Sequence, residues 1–161
     1  MDYRNELITW SSKFACGIKL IDEQHKGLVS LVNDMFNHVS GNEKEEQEYF
    51  CKVIKEAVKY IKIHFATEEK IMLAAKFKGY AEHKRKHDTF VFTVIESINS
   101  YEFGCECGKR LSLLTFTKFL KDWILTHIAL MDKQYFDYLR KIASRKSNGR
   151  LSVTRSDVVV R

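Results

Sequence analysis

The sequence predicts an all-α protein, an antiparallel up-down-up-down four-helix bundle with an N-terminal arm and a basic C-terminal extension. Two observations favour helices. The 161 residues contain no proline and only seven glycines, and long stretches repeat apolar residues at alternating steps of three and four. A chain of this length can bury a substantial core without disulfides. We expect one domain, residues 1–143, followed by a tail, residues 144–161.

The arm and the first helix stand at the start of the chain. The first 15 or so residues, including Trp10 and Phe14, show no helical pattern and are expected to pack over the bundle. The stripe that predicts the first helix consists of Ile18, Ile21, His25, Leu28, Val32, Met35 and Val39. The segment stops at Ser40-Gly41-Asn42, where the asparagine can cap the next helix.

Three further stripes predict the remaining helices. The second consists of Ile54, Ala57, Ile61, His64, Glu68 and Ile71. The third follows a connection at residues 76–79 and consists of Tyr80, His83, His87, Phe90, Val94 and Ile98. The fourth follows a glycine-bounded region at 101–108 and consists of Phe116, Leu120, Trp123, His127, Met131, Tyr135, Leu139 and Ile142. Short connections between four amphipathic helices favour an antiparallel bundle.

The stripes carry five of the six histidines and two carboxylates. These seven residues are His25, His64, Glu68, His83, His87, His127 and Asp132. They lie early in the first and third helices and late in the second and fourth, so an antiparallel bundle places them toward the same end. Burying them without partners would cost several kcal/mol, a cost that metal ligation removes. Imidazoles and carboxylates in these numbers suit a pair of transition-metal ions. His38 lies outside the pattern and is expected at the surface or at a helix cap.

The spacing of the last two candidates differs from that of the others. His64 and Glu68 are four residues apart, as are His83 and His87, which places each pair on one helix face. His127 and Asp132 are five apart, so in an α-helix they would point about 140° away from each other. This spacing favours two ions beside the helix, or a local π-bulge, a feature frequent at functional sites.

The sequence lacks the motifs of other metal sites and of other common catalytic sites. His83-Lys-Arg-Lys-His87 lacks the glutamate that zinc peptidases place after the first histidine, and no Cys-x-x-Cys pair is present. No Glu-x-x-His pair of the ferritin-like proteins occurs, and nucleophile-elbow and phosphate-loop motifs are missing. The net charge of +6 is concentrated in residues 144–161, while the rest is nearly balanced, which disfavours nucleic-acid binding.

The ordered set of seven residues resembles the signature of the hemerythrin family and its bacterial branch, the bacteriohemerythrins. The similarity covers about residues 8 to 140 and includes the segment from Trp10 to Gly17-Ile18-Lys-Leu-Ile-Asp22-Glu-Gln24-His25. One departure is the absence of proline from the connection Gly79-Tyr80-Ala81, where members of the family often have it.

The resemblance implies a non-haem di-iron centre with an oxo or hydroxo bridge and dioxygen as its ligand. His83, His87 and His127 would ligate one iron, His25 and His64 the other, and Glu68 and Asp132 would bridge them. The iron with two histidines would keep an open position for dioxygen. The apolar pocket around it would consist of Leu28, Phe65, Trp123, Ile124 and Ile128.

From this resemblance we expect reversible dioxygen binding for storage, delivery or buffering, and not an enzyme. The alternatives are sensing of O2, NO or redox state with a partner that reads it, or turnover of peroxide, NO or iron. The basic tail is a candidate contact for a redox or signalling partner. Without an apolar run that could span a membrane or serve as a signal peptide, we expect a cytoplasmic location. The four cysteines are expected to be free thiols, with Cys105-Glu-Cys107 as a candidate redox or metal pair.

Overall fold

The computed structural model describes residues 6–102 and 112–151. These residues form helices and no strand, which confirms the all-α prediction. The helices are α1 (Lys19–Asn37), α2 (Glu43–Ala74), α3 (Tyr80–Glu102), α4 (Leu113–Thr126) and α5 (Lys133–Leu151). A short 3-10 helix, Ser12–Phe14, precedes α1. A π-helical segment, His127–Asp132, joins α4 directly to α5, so that the three form one continuous helical rod.

The helices pack as the predicted up-down-up-down bundle. α1 contacts both α2 and α4, and α2 contacts α3. Aromatic rings join α3 to α4: the centroid of Phe90 lies 4.0 Å from that of Trp123 and 5.5 Å from that of Phe119. The rod of α4, the π-helical segment and α5 therefore acts as the fourth helix of the bundle.

α1 and α2 approach each other closely at Gly27. A β-carbon at this position would overlap the ring and hydroxyl of Tyr60. The Tyr60 hydroxyl in turn donates to the carbonyl oxygen of Gln24 at 3.2 Å. This contact holds together the parts of the two helices that carry His25 and His64.

The N-terminal arm is fastened to α1 by side-chain hydrogen bonds. Asn33 pairs with the backbone of Ile8, accepting at 2.9 Å and donating at 2.8 Å. The Asp22 carboxylate accepts from the amides of Cys16 at 2.7 Å and Gly17 at 3.1 Å. Burial alone would raise the pKa of Asp22, but the hydrogen bonds from Cys16 and Gly17 outweigh it and lower the pKa. The predicted packing of the arm over the bundle is confirmed.

One of the two helix ends between α1 and α2 agrees with the sequence expectation and the other differs. Asn42 caps α2, as predicted, by accepting from the Glu45 amide at 3.4 Å. α1 ends at Asn37, three residues before the predicted stop, because the next amides bond three residues back, His38 to Met35 at 3.2 Å.

The tail begins within a helix. α5 continues through Ser144, where apolar periodicity ends, to Leu151, so the domain boundary at 143/144 stays a prediction. The rest of the tail, residues 152–161, and the Cys105/Cys107 pair lie outside the described residues. Neither Cys16 nor Cys51 forms a disulfide.

The described residues form two buried apolar clusters. The large apolar cluster includes Leu28, Val32, Met35, Phe50, Ile54, Ile61, Phe65, Phe90, Val94, Phe116, Leu120, Ile124 and Ile128. The small apolar cluster consists of Cys16, Ile21, Met72, Tyr135 and Phe136. On α1, for example, His25 lies between Ile21 of the small apolar cluster and Leu28 of the large apolar cluster. Within the described ranges, no helix has the length and apolar character needed to cross a membrane.

Candidate metal centre

The bundle brings all seven sequence-predicted residues together in its interior. Each is at most 3% exposed. Their side chains form two groups that could each hold a metal ion, within which the candidate ligand atoms lie no more than 4.8 Å apart. One group contains Glu68, His83, His87 and His127, and the other contains His25, His64, Glu68 and Asp132. Glu68 belongs to both groups, so it can join two neighbouring ions.

The three-histidine group is the tighter of the two. The Nε2 atom of His87 lies 3.1 Å from Nε2 of His83 and 3.0 Å from Nε2 of His127. The Glu68 Oε2 atom lies 3.3 Å from Nε2 of His87 and 3.7 Å from Nε2 of His83. Three imidazole nitrogens and one carboxylate oxygen therefore face a common point.

In the two-histidine group, His25 and His64 approach the carboxylates of Glu68 and Asp132. The His25 Nε2 atom lies 3.3 Å from Oδ2 of Asp132 and 3.9 Å from Oε1 of Glu68. The His64 Nε2 atom lies 3.6 Å from Oε2 of Glu68. Asp132 Oδ1 points the other way, 3.1 Å from Nε2 of His127 and 3.4 Å from Nε2 of His83. Both carboxylates thus face both groups.

A π-helix explains how the five-residue spacing of His127 and Asp132 serves one site. The segment from His127 to Asp132 is π-helical, with hydrogen bonds that span five residues instead of four. The wider turn brings both side chains to the same face, and His127 Nε2 reaches Asp132 Oδ1 at 3.1 Å. Of the two explanations that the spacing offered, the local π-bulge is present in the structure.

The outer nitrogens of three histidines have hydrogen-bond partners. Nδ1 of His25 lies 3.2 Å from the carbonyl oxygen of Phe14 in the arm, and Nδ1 of His64 lies 3.1 Å from Oε1 of Gln24. Nδ1 of His87 lies 3.0 Å from the Glu69 carboxylate. Since all three partners are acceptors, each Nδ1 donates, and in the neutral imidazole the lone pair of Nε2 is then directed inward.

Some of these neighbours carry no clear signal in the sequence. Gln24 and Glu69 each stand beside a candidate ligand, at a position that periodicity assigns to another face. Tyr135 stands in the apolar stripe, where an aromatic side chain is an ordinary core residue. Its hydroxyl nevertheless donates to Oε1 of Glu68 at 2.7 Å. Burial, together with the charges of Glu68 and Asp132, raises the pKa of Tyr135, so the hydroxyl stays protonated and remains a donor.

Five polar atoms of the site are buried without a hydrogen-bond partner. They are Nε2 of His25, Nε2 of His64, Oε2 of Glu68 and both carboxylate oxygens of Asp132. An unsatisfied buried polar atom costs roughly 1 to 3 kcal/mol, and more when it is charged. All five are electron-pair donors, so cations would satisfy them together. The donor set therefore fits metal ions.

The protonation states also suit a cation. Burial lowers the pKa of His64 to about 4, despite the nearby carboxylates, so this imidazole is neutral at neutral pH. Burial acts to raise the pKa of Glu68, but its electrostatic interactions with His64, His83 and His87 hold it well below its usual range. Burial and Glu68 act to raise the pKa of Asp132, whereas His127 and His25 outweigh them and lower it. The site thus combines carboxylates with an imidazole available as a ligand.

The five residues of the expected apolar pocket all belong to the large apolar cluster or pack against it. Leu28, Phe65, Ile124 and Ile128 are buried, and Trp123 is half-buried. Phe65 stacks on His87 with ring centroids 3.7 Å apart, and Trp123 stacks on His127 at 4.2 Å. The two aromatic rings therefore cover the three-histidine group on its apolar side.

A four-helix bundle with two adjoining groups of buried histidines and carboxylates defines a class of bundle proteins built to hold metal ions. Comparison with known proteins agrees. Residues 16–139 match the family model described as the hemerythrin HHE cation binding domain. The chain belongs to the hemerythrin family.

Several bacterial relatives and solved structures are similar to most of the chain. Bacteriohemerythrin of Pseudomonas aeruginosa is 31% identical over 146 residues, which cover 88% of this chain and 90% of that protein. Bacteriohemerythrin of Clostridium acetobutylicum is 29% identical over 133 residues, 81% of this chain and all of the relative. The crystal structure of wild-type hemerythrin aligns with a TM-score of 0.69 at 28% identity, covering 81% of this chain and 96% of the other.

Proposed function

We propose that the protein binds dioxygen reversibly at a non-haem di-iron centre and thereby stores, delivers or buffers it. The observation that carries the proposal is the pair of buried donor groups that share Glu68. Membership of the hemerythrin family supports it. In this proposal His83, His87 and His127 hold one iron, and His25 and His64 hold the other. Glu68 and Asp132 would contribute to both sites, since their carboxylates face both groups.

When bound, the iron pair supplies the electrons that reversible dioxygen binding requires. The chain contributes an unequal division of ligands, since one group has three imidazoles and the other has two. The iron held by His25 and His64 would have fewer protein ligands, which leaves a position for an external ligand on that side. We therefore assign dioxygen to that side.

The surrounding residues keep the centre dry and fixed. The pocket of Leu28, Phe65, Trp123, Ile124 and Ile128 excludes water and competing anions, which would otherwise promote irreversible oxidation. The arm contributes through the Phe14 carbonyl, which orients His25, and Gln24 orients His64. In this way the outer contacts prepare the imidazoles before any ion arrives.

Binding is favoured over turnover by the way the buried polar groups are used. Among the described residues, the buried side chains with a polar group are the seven of the site, Thr117, Tyr135 and Cys16. Thr117 donates to the Leu113 carbonyl of its own helix at 2.7 Å. The Tyr135 hydroxyl donates to Oε1 of Glu68 at 2.7 Å, so both of these buried hydroxyls already have an acceptor within the protein.

Anaerobic reconstitution tests the proposal. The metal-free protein is loaded with ferrous iron, the iron is counted, and air is admitted and then removed while the absorbance is recorded. We expect two irons per chain and an absorbance change that reverses on degassing. Far fewer than two irons would refute the site, and an irreversible change or steady turnover with reductant would refute reversible carriage.

A partner that reads the state of the centre through the basic tail is the second candidate. The observation behind it is that α5 continues past the bundle into the basic segment, with exposed Arg145 on the helix. Truncation after residue 143 tests it. If dioxygen binding and every partner interaction are unchanged by the truncation, the tail has no such role.

A further inference from the structure

Tyr135 places a phenol hydroxyl inside the candidate metal centre. The side chain is fully buried in the small apolar cluster, 0% exposed. Its hydroxyl donates to Oε1 of Glu68 at 2.7 Å, a short bond to a charged acceptor. The ring also lies edge-on to His83, with centroids 5.6 Å apart. Tyr135 therefore touches a carboxylate common to both ion-binding groups without belonging to either.

This hydrogen bond makes the two oxygens of Glu68 unequal. Oε1 accepts from the phenol and faces His25 at 3.9 Å. Oε2 has no hydrogen-bond partner and is nearest to Nε2 of His87 at 3.3 Å, while Nε2 of His64 lies 3.6 Å from it. The other two imidazoles of the three-histidine group lie within 4.0 Å of Oε2 as well. The terminal torsion of a glutamate is soft and broad, so the carboxylate would turn easily if nothing held it. The hydrogen bond from the Tyr135 hydroxyl restrains this rotation.

We propose that Tyr135 is a positioning residue that fixes Glu68 so that the three-histidine group accepts the first metal ion and the two-histidine group accepts the second, weaker one. The inference rests on the proposed di-metal function. Oε2, with its full lone pairs, completes the set of His83, His87 and His127. Oε1 shares its charge with the phenol and is the poorer donor for an ion beside His25. The hydrogen bond thereby makes the metal affinity of the three-histidine group higher than that of the two-histidine group.

Stepwise titration with Co(II) tests the proposal. Metal-free full-length protein is titrated anaerobically, the visible absorbance of bound cobalt is recorded, and the two stepwise constants are measured by calorimetry. In the wild type we expect two separated steps. In Tyr135→Phe, which removes a single oxygen atom, we expect the ratio of the two constants to narrow by about tenfold, the low end of the effect of such outer partners on metal affinity.

Tyr138→Phe is the matched control. Tyr138 lies one turn further along α5, and its hydroxyl donates to the backbone carbonyls of Ala75 at 3.0 Å and Lys76 at 3.2 Å. This variant loses the same atom from a tyrosine outside the site, so its ratio of constants should equal that of the wild type. The melting temperature of each metal-free variant shows whether it folds.

The outcomes separate the two proposals. If the wild type binds fewer than two Co(II) ions, the proposed function fails and this inference fails with it. If the wild type binds two and Tyr135→Phe keeps the wild-type ratio, or weakens both steps equally, only the positioning role is refuted. Should Tyr135→Phe not fold, the wild type is prepared with 3-fluorotyrosine, a stronger donor. The ratio should then widen, and an unchanged ratio would overturn the inference.

Discussion

The large apolar cluster and the layer of seven histidines and carboxylates are equally buried but differ in how they are satisfied. In the apolar cluster aromatic rings meet at favourable distances, as Phe50 and Phe116 do at 5.3 Å. In the polar layer five atoms face one another with no hydrogen-bond partner. The first region stabilises the bundle without help, whereas the second stabilises it only when cations occupy the layer.

This difference indicates how the site is held ready. The apolar cluster aligns the helices, and outer contacts such as Gln24 to His64 and Glu69 to His87 orient the rings. The polar layer then keeps its donor atoms close together at a cost in stability. Metal binding offsets that cost. Substitutions in the polar layer should therefore change both stability and metal content, whereas substitutions in the apolar cluster should change stability alone.

Removal of the metal should give the largest effect. An ion present at about a thousand times its dissociation constant stabilises a fold by about 4 kcal/mol. Two ions would contribute about 8 kcal/mol, or about 20 °C in melting temperature for a chain of this size. Calorimetry of the loaded protein with and without a chelator measures this. Hydrogen exchange should show lost protection near Glu68 and retained protection near Phe116. An unchanged melting temperature would contradict the comparison.

Two histidines at different levels of the bundle offer a sharper test. His64→Ala removes a donor from the two-histidine group, so we expect the loss of about one of two irons, about 4 kcal/mol of metal-dependent stability, and weaker dioxygen binding. His38 caps α1 and stacks on Tyr49 with centroids 3.7 Å apart. His38→Ala should leave iron and dioxygen binding nearly intact. Equal iron retention in the two variants would show that the proposed ligands are wrong.

Phe116→Ala probes the apolar region alone. Phe116 is 1% exposed and packs against Phe50. Truncating a buried phenylalanine leaves a cavity and costs at least about 3 kcal/mol. We expect that loss in denaturant unfolding of both the metal-free and the loaded protein, with an unchanged iron count. A variant that also loses iron would show that the two regions are not independent.

The sequence predicts much of both regions, because helical periodicity records which residues face inward. It predicts the four bundle helices, the Asn42 cap and the convergence of seven residues whose depths agree. The five-residue spacing of His127 and Asp132 indicates either a pair of ions or a π-bulge, and the structure contains the π-bulge. Metal ligation by these residues stays a prediction, to be decided by iron counting.

What periodicity misses are contacts decided by the packing of one helix on another. Glu69 follows Glu68 and would point to a different face, yet it reaches His87 on α3 at 3.0 Å. Tyr135 has the pattern of a core aromatic, and only the partner of its hydroxyl marks it as part of the site. The end of α1 at Asn37 depends on a local choice of hydrogen bonds that no residue in the sequence forces.

The smallest effect is expected at Lys76, in the connection between α2 and α3 beside the small apolar cluster. Lys76 has a φ of 54°, in the left-handed region that favours glycine at the end of a helix. Relief of that strain increases the free energy of unfolding by about 1 to 2 kcal/mol. The greater conformational freedom of glycine in the unfolded chain offsets about half of this increase. Lys76→Gly should therefore raise the free energy of unfolding by up to about 1 kcal/mol. Since the substitution leaves the polar layer unchanged, the increase in the free energy of unfolding should be equal with and without metal. An increase seen only in the metal-loaded protein would mean that this connection is coupled to the metal centre.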